Sequence, residues 1–309
     1  MKQTIYSPDI ECESCYKVLS KVMKTAQGIQ YYNVNKDSLY VEYDESLLKP
    51  EALLAMIHEK GYRAAFTPFA RKSFRERARD FVENKKKYEV EYIMIKHMAL
   101  SLLLLVGLEL LLYFSYFKNI SGFLSQYGIW VFYLTISVIA LNTAVWHFKA
   151  YKTEITCMVG MMVGMTIGMQ TGLLIGALLA ATNGMLVGAL TGMLVGVAVG
   201  WYNGQCCGIM GIMEGIMAGL MGGTMGAMLS VMLINNHILL FMPPYLLINF
   251  LVLIGFSYML FEEIVENSPA IKKAPIDFWT FFSSSFLAIA LLTVIIFIGP
   301  KTGIIWTGG

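Results

Sequence analysis

Charge is scarce in this chain of 309 residues: Lys, Arg, Asp and Glu together make up 14% of it, whereas 57% is hydrophobic. Most of the charged residues lie among the first hundred. This composition excludes a wholly soluble protein and indicates an integral membrane protein with one soluble domain at its N-terminal end. No basic stripe of the kind that binds nucleic acid is present, so no nucleic-acid partner is predicted.

Motifs of several enzyme classes are missing as well. The sequence has no Walker-type phosphate loop, no Asp-Lys-Thr-Gly phosphorylation motif and no set of nucleophile, base and acid. Neither an ATP-driven pump nor an enzyme is therefore predicted. The first 20 residues carry Asp9, Glu11 and Glu13 without an apolar core, which argues against a signal peptide.

Residues 1–67 alternate strand and helix signals in the order β-α-β-β-α-β, which is the ferredoxin-like α+β arrangement. Alternating apolar residues predict strands at 3–6, 29–34, 39–43 and 62–66. Apolar positions at helical spacing predict one helix at 15–25 and a second that begins at Pro50 and stops at Gly61.

The N-terminal segment also resembles the heavy-metal-associated domain of copper chaperones and metal-pumping P-type ATPases. The resemblance rests on Cys12-Glu13-Ser14-Cys15, Val34-Asn35, Tyr43-Asp44 and Gly61-Tyr62. It implies that Cys12 and Cys15 are metal thiolates. Cys15 is expected in the first turn of a helix, where the amide dipoles favour the thiolate.

The metal that this pair would bind is left open by the sequence. Asp9-Ile10-Glu11 stands where the family usually has Gly-Met-Thr, and an acidic residue before the first cysteine is similar to the zinc and cadmium members. A redox dithiol or a chance pair is the alternative to metal binding. Residues 68–93 follow as a charged helical linker whose basic residues are also suited to anionic lipid headgroups.

From residue 94 to 309 the chain predicts an all-α polytopic membrane bundle of about seven helices. The apolar segments are long enough to cross a bilayer and lie at 94–117, 124–147, 156–181, 184–203, 206–234, 238–261 and 277–299. Basic residues precede the first segment and recur at Lys149, Lys152, Lys272 and Lys273. The positive-inside rule then predicts a plasma-membrane protein with a cytoplasmic N-terminal domain and its C-terminus outside.

Glycine recurs at every fourth position through much of residues 157–232, the Met/Gly-rich core of the membrane domain. Small residues at this spacing are typical of membrane helices that pack backbone to backbone, as in a glycine zipper. In the fifth segment methionine lies two residues after glycine, so the glycine and methionine stripes are expected on opposite faces of that helix.

Sulfur-bearing side chains make this core a candidate path for a soft metal ion, since thioethers and thiols suit Cu(I). The candidate ligands are Cys157, Cys206, Cys207, Met161, Met165, Met169, Met210, Met213, Met217, Met221 and Met225. The three cysteines are expected at the cytoplasmic ends of their helices. Ordinary apolar packing is the alternative for the methionines.

Two carboxylates, Glu214 and Glu109, lie within the apolar segments and are candidates for binding the cation or exchanging a proton for it. Glu109 is equally suited to hydrogen-bond a neighbouring helix. The vicinal cysteine pair is similar to that of mercuric-ion transporters, and the Met-x-x-x-Met spacing with the glycine ladder is similar to elements of Ctr-type copper transporters. These similarities cover single motifs.

The sequence therefore predicts a soft-metal transporter, with Cu(I) as cargo, that passes the ion from the cytoplasmic cysteine pair to cysteine and methionine sites in the membrane. A Zn(II), Cd(II) or Hg(II) transporter is the nearest alternative. A metal-sensing or accessory membrane protein without transport is the other. Expected partners are the metal ion, membrane lipid, a cytoplasmic metallochaperone and further copies of the chain.

Overall fold

The computed structural model describes residues 1–7, 10, 13–26, 28–45, 47–59, 62, 64–68, 88–118, 123–152, 157–234, 237–262 and 272–301. The chain divides into two compact units, residues 1–84 and 85–309. The predicted linker at 68–93 lies mostly outside the described residues, and its last part forms the start of a long helix.

The N-terminal unit is a small sheet with two helices. Its elements are β1 (Lys2–Tyr6), α1 (Glu13–Thr25), β2 (Ile29–Asn35), β3 (Ser38–Tyr43) and α2 (Pro50–Glu59). The three strands are antiparallel in the order β1-β3-β2. Alternate strand residues and the apolar stripes of both helices form one core, which contains Ile5, Leu19, Leu39, Val41, Leu53 and Ile57. The three-stranded sheet and both helices match the prediction.

The fourth predicted strand differs. Among the described residues of 62–66, only Ala65 pairs with the sheet, through an isolated antiparallel bridge to Tyr6. The Tyr6 amide donates to the Ala65 carbonyl at 2.8 Å, and the Ala65 amide donates back at 3.0 Å. A single bridge satisfies one residue's backbone groups, so this segment lies at the β1 edge without forming a strand among its described residues.

The second unit is helical. Its helices are α3 (Glu89–Leu112), α4 (Ile129–Ala150), α5 (Cys157–Asn183), α6 (Met185–Gly204), α7 (Gly208–Met232), α8 (Ile238–Leu260) and α9 (Phe278–Ile298). Tyr113–Phe117 extends α3 and Leu124–Gly128 precedes α4, both as π-helical turns. The short strands β4 (Tyr151–Lys152) and β5 (Lys272–Lys273) pair antiparallel.

Six helical stretches in the described part of the chain are long and apolar enough to cross a membrane. The fourth stretch, Met185–Met232, is 48 residues long and contains both α6 and α7. A 3-10 turn at Gln205–Cys207 separates these two helices, and Gly208 follows it at φ +65°. Since this left-handed conformation strains residues with a Cβ, glycine allows the chain to fold back there.

Helices α5, α6 and α7 pack backbone to backbone as one three-helix group. Antiparallel α5 and α6 meet at Gly164 and Gly204, where a Cβ on Gly164 would lie 3.0 Å from the Gly204 Cα. Further along, a Cβ on Gly192 would lie 2.6 Å from the Gly176 Cα. Side chains larger than hydrogen would force these backbones apart, so the four-residue glycine spacing sets the closeness of the group.

Helix α7 lies parallel to α5 and antiparallel to α6 within this group. A Cβ on Gly168 would lie 2.8 Å from the Gly215 carbonyl oxygen and 3.0 Å from the Gly200 Cα. One glycine of α5 thus touches both neighbours. The turn between α5 and α6 is made by Gly184 at φ +97°, which is the second position in this group that requires glycine.

Polar side chains join α4 to α9. The Asn142 side-chain amide donates to the Phe281 carbonyl at 3.2 Å, to Ser284 Oγ at 3.0 Å and to Ser285 Oγ at 2.7 Å. Interhelical hydrogen bonds of this kind hold membrane helices together where no hydrophobic effect acts between them.

Candidate functional site

Two thiols lie at one end of the three-helix group formed by α5, α6 and α7. Cys206 and Cys207 form the 3-10 turn between α6 and α7, with their sulfur atoms 4.0 Å apart. A Cβ on Gly160 of α5 would lie 3.0 Å from Cys206 Sγ and closer still to Cys207 Sγ. The absence of a side chain at Gly160 therefore leaves the space that both thiols occupy.

The third cysteine of this core begins α5. Cys157 lies three residues before Gly160, which places both on one face of the helix. The backbone thus brings Cys157 to the same end of the group as the Cys206-Cys207 turn, while its side chain lies outside the described residues. The Cys206 thiol donates to the Asn203 carbonyl at 3.3 Å.

Lys149 contacts α6 close to the end of the three-helix group that carries Cys206, Cys207 and Cys157, which we call the sulfur end. Lys149, in the last turn of α4, has its Nζ 3.6 Å from the centroid of the Tyr202 ring and 5.1 Å from that of Trp146. Tyr202 lies one turn before Cys206 on the chain.

The methionines of α7 lie on its outer face, opposite the glycines, as expected. Gly211, Gly215 and Gly219 are buried. The five candidate methionines on this helix are between 44% and 64% exposed: Met210, Met213, Met217, Met221 and Met225. Met228 and Met232 continue the same surface. This Met face of α7 is not enclosed by other described helices of the same chain.

The methionines of α5 are divided between surface and interior. Met165 is 48% exposed, while Met161 and Met169 are half-buried. Met158 and Met162, which the sequence prediction left out, are exposed beside Met165. Their spacing of four and three residues follows the helical repeat, and that spacing is the signal by which they could have been found.

The two membrane carboxylates differ in their surroundings. Glu214 is exposed on the Met face of α7 and makes no hydrogen bond or ion pair with any described residue. Glu109 of α3 accepts a hydrogen bond from the buried Thr135 hydroxyl of α4. The interhelical role that the sequence offered for Glu109 is thus present.

Sequence reasoning missed a buried polar cluster at the ends of α3 and α4. His147, in the last turn of α4, is 4% exposed. Its Nε2 lies 3.5 Å from Glu91 Oε1, and the Tyr151 hydroxyl donates to the same oxygen. Burial and the neighbouring Glu91 charge raise the pKa of Tyr151 far above its ordinary value. No linear motif marks this cluster, because its members come from separate elements.

Of the N-terminal pair, Cys15 is the third residue of α1 and half-buried, and Cys12 lies outside the described residues. Throughout the described ranges, no three His, Cys, Asp or Glu side chains converge in a geometry that would hold a metal ion. Only two of the three membrane thiols are described with their side chains. No family model, curated protein or solved structure matches this chain.

Proposed function

We propose that this protein is a membrane transporter for a soft metal ion, with Cu(I) as its cargo. The observation that carries the proposal is the sulfur end: two thiols of one turn packed over Gly160, with Cys157 beginning the same face of α5. Thiolates are the ligands that select Cu(I) over hard cations. The proposed capture site is the N-terminal Cys12 and Cys15 pair.

The proposed topology has seven crossings, with α6 and α7 crossing separately. Backbone contact between them continues from Gly204 and Gly211 near the turn to Gly192 and Gly223 some three turns away, which supports two antiparallel spans. Basic residues at the ends of α4 and β5 support a cytoplasmic sulfur end. The N-terminal unit would then lie in the cytoplasm, and the C-terminus outside.

The proposed route follows the Met face of α7. Because this face lies on the surface of one chain, a path lined by its thioethers needs a second wall, which we assign to another copy of the chain. Glu214 supports this arrangement, since a carboxylate within a span is costly against lipid and favourable beside a cation path. Weak repeated thioether sites suit conduction, because the ion must leave each site readily.

Flux of Cu(I) into proteoliposomes tests the proposal. Replacing Cys206 and Cys207 with serine should reduce flux at least tenfold, because hydroxyls bind Cu(I) poorly. Replacing Met213, Met217 and Met221 with leucine should reduce flux while leaving Cu(I) binding to the N-terminal pair intact. Unchanged flux in both variants would contradict this route through the thiols and the Met face. Flux no higher than that of protein-free vesicles would favour the accessory or sensing function, in which the bundle transports nothing.

The metal itself is tested in the same vesicles by comparing Cu(I), Zn(II) and Hg(II). The vicinal thiols and thioethers support Cu(I) or Hg(II), whereas Zn(II) flux would support a carboxylate route through Glu214. Leucine at Met242, a fully buried methionine of α8, is the matched control because it lies off the Met face.

A further inference from the structure

A carboxyl group, an imidazole and a phenol meet where α3 begins and α4 ends. Glu91 is in the first turn of α3, His147 is in the last turn of α4, and Tyr151 directly follows α4. His147 and Tyr151 are 4% and 6% exposed, and the Glu91 side chain is 13% exposed. Three titratable groups are therefore buried together.

The hydrogen-bonding capacity of this cluster is only partly used. Glu91 Oε1 accepts from the Tyr151 hydroxyl, while Glu91 Oε2 and both ring nitrogens of His147 make no hydrogen bond within the described part of the chain. The 3.5 Å separation between His147 Nε2 and Glu91 Oε1 exceeds the 2.7–3.2 Å usual for such a bond. Buried polar groups normally have hydrogen-bond partners, so this cluster has unused capacity to form further hydrogen bonds.

One added proton would give the Glu91 carboxylate a charged partner. A protonated imidazole has an N–H donor on each nitrogen and forms an ion pair with the carboxylate, whereas the neutral ring is uncharged and has a single N–H donor. The His147 ring contacts two titratable side chains, Glu91 through its Oε1 atom and Tyr151 edge to face. Tyr151 keeps its proton in both states, because its pKa is raised by burial and by Glu91.

The last turn of α4 connects this cluster to the sulfur end. His147 and Tyr151 face Glu91, while Lys149 between them lies against the Tyr202 ring, one turn before Cys206. Tyr151 also shares an apolar cluster with Val159 and Val163 in the first half of α5. A change at His147 that shifts this turn would reach α5, which begins at Cys157, and α6, which leads into the Cys206-Cys207 turn.

We propose that Glu91 and His147 form a buried proton-binding site, coupled through the last turn of α4 to the sulfur end. The site takes one proton from water to give an imidazolium–carboxylate pair and returns it to water on release. Its coupling role, exchange of a proton for the transported cation, rests on the proposed function. A proton gradient across the membrane would then drive the cation without a nucleotide.

Sustained proton movement during metal flux tests the coupling in full-length protein. In liposomes that contain a pH-sensitive dye, an imposed Cu(I) gradient should drive a steady proton flux in the opposite direction. Glu91→Gln and His147→Gln should lower proton flux at least tenfold while Cu(I) still moves down its gradient. His97→Gln, the same change at a histidine of α3, should behave like the unaltered protein. Equal proton flux in all four proteins would overturn the proposal.

A second measurement tests the proton-binding site independently of metal flux. The chain has 4 histidines, so NMR of the detergent-solubilised protein with labelled histidine resolves the His147 ring, assigned by its loss in His147→Gln. Its titration midpoint should move when Glu91 becomes Gln, in a variant whose unfolding temperature is checked separately. A midpoint that does not move refutes the proton site, whereas absent Cu(I) flux with a moved midpoint refutes transport alone.

Discussion

Gly172 lies where α5 touches α6 and α7 at once, and alanine at this position should destabilise the three-helix group. A Cβ on Gly172 would lie 2.5 Å from the Gly223 amide nitrogen, 2.7 Å from the Gly219 carbonyl oxygen and 2.9 Å from the Gly222 carbonyl carbon. Non-bonded heavy atoms are best separated by about 3.5–4.0 Å. Each contact is thus roughly 1 Å too short, and the atoms belong to backbone that cannot rotate away.

The expected cost follows from two opposing effects. Overpacking of a tight interior costs about 1–3 kcal/mol, while alanine in a helix interior gains roughly 1 kcal/mol over glycine. A net loss of up to about 2 kcal/mol in the free energy of unfolding is expected for Gly172→Ala. Gly255→Ala in α8 has no atom within 4 Å of its new Cβ and should be neutral or slightly stabilising.

Unfolding of the solubilised protein by increasing fractions of a denaturing detergent, followed by tryptophan fluorescence, measures both variants. The two changes add the same methyl group to a helical glycine, so their difference isolates close packing. A Gly172→Ala protein as stable as Gly255→Ala would refute backbone-to-backbone packing of α5, α6 and α7.

Three further outcomes are expected. Asn142→Val should lower the free energy of unfolding by about 1–2 kcal/mol, whereas Thr143→Val, which removes only a bond to its own helix, should have little effect in the same detergent titration. Gly160→Ala should weaken Cu(I) binding at least tenfold, because the new Cβ displaces both thiols. Competition with a chelator measures this affinity in a protein that lacks the N-terminal cysteine pair. The Lys2 hydrogen bond lowers the pKa of Glu42 in the folded protein. The stability that Glu42 contributes is therefore fully present above the ordinary carboxyl pKa of about 4. It is lost as the pH falls toward the lower pKa of the folded state. Glu42→Gln should remove that part of the pH dependence of thermal unfolding of the N-terminal unit, and an unaltered profile would contradict it.

The helices of this protein could be predicted because their signals are local. The length of the apolar run and its regularly spaced glycines predicted a segment at 156–181, and α5 runs from Cys157 to Asn183. The glycine faces were likewise predictable, since a four-residue spacing maps directly onto one side of a helix. The close approach of Gly168 to Gly200 and Gly215 is the tertiary consequence of that local pattern.

Features that depend on distant residues escaped prediction. Whether the 62–66 segment pairs as a strand depends on the β1 edge, and among its described residues only Ala65 forms a bridge there. Exposure of Met217 and Met221 depends on which neighbours α7 has, which periodicity cannot specify. The contact between His147 and Glu91 joins residues 56 positions apart, and only the packing of α3 against α4 brings them together.

Cu(I) flux through the full-length protein in liposomes, compared with that of a protein in which Cys206 and Cys207 are both serine, tests the central claim most directly. Transport through the sulfur end predicts steady Cu(I) entry into vesicles that hold unaltered protein, and at least a tenfold loss in the serine variant at equal reconstitution and stability. Equal Cu(I) entry into vesicles with either protein, or none above protein-free vesicles with the unaltered chain, would contradict it.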